Sequence, residues 1–148
     1  MVVTTYKFSN MEIHYLPIII CAVLAMVVGA IWYGALFGRL WMRIIGADSL
    51  SETEKEAMQK RMWKDYLLQA AVLLLQLYVL AHFIKGWDIV SGVEVAFWLW
   101  LGMVMPTLAG SAIWTAESSK MRWLRFVVQA GYQFVIFMLF GYILGNWG

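Results

Sequence analysis

The sequence predicts an all-α transmembrane four-helix bundle, and three observations carry that prediction. Of the 148 residues, 63% are hydrophobic and 14% charged, with a mean hydropathy of +0.73. A water-soluble chain of this length has no core large enough to hide so much apolar surface, so lipid must solvate much of it. Four continuous apolar runs divide the chain, each close to the ~20 residues that carry a helix across the ~30 Å hydrocarbon layer. The basic residues gather in two of the connections between the runs. A β-barrel is excluded, because its strands would be half as long and would alternate in polarity.

The first span covers about residues 13–37. It is read as a retained helix and not a signal peptide, being too long, lacking a basic leader beyond Lys7 and having no small-residue cleavage site. Cys21 is the only cysteine, which excludes an internal disulfide and a CxxC redox pair and leaves it a packing role. Residues 38–65 form a loop in which Ser51 and Glu54 make an S-x-x-E capping box. The box predicts a short amphipathic helix running through Trp63 towards the second span, either a docking or lipid-sensing surface or a solvated extension. The second span covers about residues 66–84, the third 93–114 and the fourth 124–144, and nothing divides residues 1–148 into more than one domain.

Arg39, Arg43, Lys55, Lys60, Arg61 and Lys64 lie in the first connection, and Lys120, Arg122 and Arg125 follow the third span; the opposite side holds Lys7 and Lys85. The positive-inside rule then predicts a multi-pass protein of the cell inner membrane with both basic loops in the cytoplasm and both termini outside. Nine tryptophans, seven tyrosines and eight phenylalanines suit the boundary between headgroups and acyl chains. A net charge of +2, with no basic stripe along one face, argues against nucleic acid.

Polar side chains inside a bilayer are costly, so their positions are informative. Gln69 and Gln76 share a face of the second span; Gln129, Tyr132 and Gln133 share one of the fourth. Counted from the basic ends of these spans, Gln69 matches Gln129 in depth and Gln76 matches Gln133, with Thr107 and Ser111 of the third span in the same half. The expectation is a polar seam inside the bundle. It serves either as interhelical glue worth about 0.6–2 kcal/mol per amide or as a cavity binding a neutral or zwitterionic molecule. Gly102, Pro106 and Gly110 recur every four residues on the third span, as do Ala30, Gly34 and Gly38 on the first and Gly141 and Gly145 on the fourth. Such faces predict close helix approach, within the chain or between chains.

His14 and His82 fall at the boundary opposite the basic loops, where two imidazoles at equal depth could ligate a haem iron or a metal. Glu12, Asp88 and Glu94 lie on that side and could pair with them. Glu117 is expected to pair with Lys120 or Arg122. No hydrolase elbow, phosphate loop or HExxH motif is present, and no cofactor is specified.

The run GAIWYGALFGRLWM from Gly29 to Met42, AHFI from Ala81 to Ile84, FWLWLGMVMP from Phe97 to Pro106, and AGYQF and GYILGNW near the end resemble, in order, the bacterial domain-of-unknown-function family numbered 1761. Ala35 stands where that family often has proline. The resemblance implies a small four-helix membrane protein without an assigned activity, and a structural corner formed by Trp32, Tyr33, Gly34, Phe37, Gly38 and Trp41. The reading as a whole is a non-enzymatic membrane component that self-associates or joins other membrane subunits in the lipid bilayer. The alternatives are a small-molecule binding protein or transporter built on Gln69, Gln76, Thr107, Gln129, Tyr132 and Gln133, and a haem or metal protein built on His14 and His82.

Overall fold

The computed structural model describes residues 13–87 and 90–147, and among them every regular element is helical. Helix α1 (Tyr15–Ala30) passes directly into a π-helix, Ile31–Leu36. A short α2 (Gly38–Ile44) and a 3-10 turn (Ala47–Ser49) follow. Helix α3 is Glu52–Gly86; α4 (Gly92–Leu99), a second π-helix (Trp100–Val104) and α5 (Met105–Ile113) run on without a break; α6 is Ser119–Trp147. Four stretches are long and apolar enough to cross a membrane: Tyr15–Leu36, Glu52–Gly86, Gly92–Ile113 and Ser119–Trp147. The all-α fold expected from hydropathy is the fold found.

Local chemistry explains the boundaries. Pro17 sits in the first turn of α1, where its missing N–H would have had no partner within the helix. Gly46 closes α2 at φ 72°, a left-handed conformation suited to glycine, and its N–H returns to Arg43 O at 3.2 Å. The Ser51 hydroxyl accepts from Glu54 N, and the Glu54 carboxylate accepts from Ser51 N at 2.8 Å, completing the capping box. From there α3 continues for 35 residues with no proline or glycine before Gly86. The capped loop helix and the second span are thus one rod of about 52 Å.

The core lies towards the end away from the basic loops. Ile18, Cys21 and Ala25 of α1 meet Leu73, Leu77, Leu80, Ala81 and Ile84 of α3, Val95 and Ala96 of α4, and Ile136, Phe137, Phe140 and Leu144 of α6. The α3 set repeats at helical spacing along one stripe, while Leu67, Leu68 and Leu75 point away from the bundle. At the same end α4 crosses α6 almost backbone to backbone. A Cβ on Gly141 would lie 2.6 Å from Gly92 O and 2.7 Å from Ala96 Cβ, and one on Gly145 would lie 3.0 Å from Gly92 Cα. The fourth span's small residues therefore serve contact within the chain.

Gly102 and Gly110 of the third span do not. A Cβ on Gly102 or Gly110 meets nothing within 4 Å, and Pro106 and Thr107 are exposed. Of the two approaches expected of this stripe, the one within the chain is absent at both glycines. The π-helix at Trp100–Val104 accounts for part of the difference, since its extra residue per turn rotates everything beyond it and breaks the spacing-four rule. Pro106 falls in the first turn of α5, just past the π-helix, where a lost N–H is tolerated.

Candidate functional site

Nearer the basic loops, packing gives way to directed hydrogen bonds onto α6. The Trp32 indole N–H donates to Val128 O at 3.0 Å, and the Trp100 indole N–H donates to Ala130 O at 3.3 Å. An indole N–H held in hydrocarbon needs an acceptor, and a helix carbonyl retains a second lone pair after its own helical bond. Val128 and Ala130, two residues apart, face roughly opposite sides of α6. Spans one and three therefore hold the last helix between two indoles.

Both donors stand in a π-helix and both belong to a W-x-G triplet, Trp32-Tyr33-Gly34 and Trp100-Leu101-Gly102. In each the tryptophan turns towards α6 while the glycine is exposed, with open space where a Cβ would be. Tyr132 returns the contact: its O–H donates to Ala25 O at 2.9 Å, and a Cβ on Gly29 would come within 3.2 Å of that hydroxyl. Tyr33 joins the node, 5.2 Å from the Tyr132 ring and 4.6 Å from Trp41, while Trp32 lies 5.0 Å from Phe37. Phe37, at φ −115°, links the π-helix to α2, which restarts at Gly38.

A second node ties the loops together. Arg125 on α6 pairs with Glu117 and also donates to Ile44 O at 3.1 Å, at the C-terminal end of α2. Lys120 and Arg122 are the expected partners of Glu117; the pair forms instead with Arg125, about one turn of α6 beyond Arg122. Arg122 instead reaches Ile113 O at 3.5 Å.

The six residues considered for a ligand site are dispersed in their roles. Gln69 is exposed, and Gln76 and Gln129 are half-buried. Thr107 is exposed with its hydroxyl turned onto Met103 O at 2.6 Å, and Ser111 donates to Leu108 O at 2.8 Å, both in their own span. Tyr132 is committed to span one. Gln133 is half-buried, and its Oε1 is shut from solvent without a donor. Among the described residues no hydrogen bond joins any two of the six.

His14 is exposed and lines a shallow recess with Ile13, Pro17, Ala81, Lys85 and Leu144. His82 turns Nδ1 onto Tyr78 O at 2.8 Å and stacks edge-on against Tyr78 at 4.3 Å, so Nε2 is the nitrogen left for any ligand. Glu12 and Asp88 lie outside the described residues; Glu94 is exposed in the first turn of α4. Among the described residues no three His, Cys, Asp or Glu side chains gather into a metal-binding group.

A family model described as "Protein of unknown function (DUF1761)" matches residues 16–145. The chain belongs to this family. No curated protein and no solved structure matches it. Three of the blocks through which the sequence resembles DUF1761 meet one another at the indole node, and a fourth supplies the close crossing of α4 and α6. The WYG run supplies Trp32 and Tyr33 to the node, FWLWLGMVMP supplies Trp100, and AGYQF supplies Ala130 O and Tyr132. GYILGNW supplies Gly141 and Gly145 to the crossing with Gly92. In this DUF1761 chain the indole acceptors are backbone carbonyls, which no side-chain motif can reveal.

Proposed function

We propose that the protein is a non-enzymatic membrane component that self-associates through the outward face of its third span. One observation carries this reading: the glycines of span four and Gly92 are filled by contact within the chain, whereas Gly102 and Gly110 are left open. Thr107 and Ser111 beside them satisfy their hydroxyls within their own span, so the face presents small, self-satisfied groups. Surfaces of this kind let two helix backbones approach closely in lipid, where packing and not hydrophobicity drives association. The charge asymmetry of the connections supports an inner membrane setting with the basic loops in the cytoplasm.

The test is thiol crosslinking in native membranes. Thr107→Cys is expected to give a dimer, Leu68→Cys on the exposed face of span two is not, and Gly102→Leu with Gly110→Leu abolishes the Thr107→Cys product. A monomer by native mass in mild detergent, with no crosslink at Thr107→Cys, overturns the reading. A second reading, small-molecule binding within the bundle, is favoured by the unpartnered Gln133 Oε1. Under it Gln133→Leu abolishes ligand retention while dimer formation persists.

A further inference from the structure

The first two turns of α6 hold an excess of positive charge that the protein does not use. Arg122 and Arg125, three residues apart, share one helix face, and the carboxylate of Glu117 pairs with Arg125. Arg122 has a bond to Ile113 O at 3.5 Å, the limit of hydrogen-bond length. The Nε of each arginine is shut from solvent without a partner. Buried polar atoms in folded proteins are nearly always satisfied, yet each guanidinium keeps one donor unused, as the paired Glu117 keeps its Oε2. Arg122 is half-buried and so retains open surface.

Their position says which acceptor suits them. Trp114, 89% exposed and next in sequence to Ile113, and Trp123, exposed and next to Arg122, are rings of the kind that settle at headgroup level. A planar guanidinium at that depth matches a phosphate through two parallel N–H bonds, which a lysine cannot reproduce. Basic pockets at the ends of membrane helices take acidic headgroups on these grounds.

We propose that Arg122, with Arg125 beside it, forms a phosphate-binding site at the basic end of the bundle, of the chemistry that an acidic phospholipid headgroup presents. Arg125 is already held by Glu117 and Ile44 O and acts as the fixed wall; Arg122 turns from its long contact with Ile113 O onto the phosphate.

The full chain in mild detergent is titrated with phosphatidylglycerol, and lipid adducts are read by native mass spectrometry. Arg122→Gln is expected to weaken the first adduct about fivefold. Arg122→Lys falls between it and the parent, because the charge stays and the fork is lost. Lys64→Gln, an equal loss of charge on the exposed part of α3, leaves binding unchanged. Displacement of the adduct by inorganic phosphate assigns the site to the free anion, and persistence of the adduct assigns it to lipid; both uphold a phosphate site. Equal binding by Arg122→Gln and the parent overturns it, as does a loss in Lys64→Gln as large as that in Arg122→Gln. Should Arg122→Gln fail to fold, Arg122→Lys against the parent carries the same comparison.

Discussion

The two ends of the bundle are held by different means. Away from the basic loops, Gly92, Gly141 and Gly145 bring α4 and α6 into backbone contact around an apolar core. Nearer the loops, Trp32, Trp100 and Tyr132 bind helices at arm's length through single hydrogen bonds, and the glycines of the same triplets, Gly34 and Gly102, look outward. Gly92, Gly141 and Gly145 are thus contact residues, while the triplet glycines Gly34 and Gly102 are openings. The contrast teaches that a small-residue pattern reports the possibility of close approach and leaves its direction to the packing of everything else.

The largest expected effect comes from filling the closed end. Gly141→Leu drives a side chain into Gly92 O and Val93 Cα, and should cost about 3 kcal/mol, read as a lowered midpoint in detergent-mediated unfolding. An unchanged midpoint would show that the crossing yields easily, and the contrast between the ends would go with it. Next, Trp32→Phe keeps a ring in the node and deletes the bond to Val128 O, for a loss of about 1 kcal/mol by the same measurement. A neutral result there would mean that ring packing alone holds the node. The smallest effect is expected at the open face: Gly102→Ala should leave monomer stability unchanged or raise it by up to about 0.5 kcal/mol. A loss comparable to that of Gly141→Leu would place Gly102 against something inside the chain and erase the distinction.

Much of this fold could be read from the chain before any coordinates. Hydropathy located the four spans because the bilayer imposes a length on each, and Ser51 with Glu54 marked the start of α3 because a capping box is a local device confined to four residues. The two π-helices left no such mark. They depend on how spans one and three seat their tryptophans against α6, which is decided by tertiary contact. The sequence leaves open whether Gly102, Pro106 and Gly110 face a helix of this chain or of another, and a Cβ on either glycine meets nothing of this chain within 4 Å. Glu117 pairs with Arg125 and not with a nearer cation, a choice that sequence distance does not measure. Matching glutamines by depth carries no rotation: Gln133 is half-buried with its Oε1 shut from solvent, whereas Gln69, matched in depth to Gln129, is exposed.

The unbroken length of α3 has a mechanical consequence. About 30 Å of it suffices to cross a hydrocarbon layer, so the helix exceeds that length, and its turns carrying Glu52, Lys55, Lys60 and Arg61 run unbroken into the Leu73, Leu77 and Leu80 stripe. With no glycine or proline before Gly86 to act as a joint, a displacement of the charged end has no built-in hinge at which to be absorbed before it reaches the bundle.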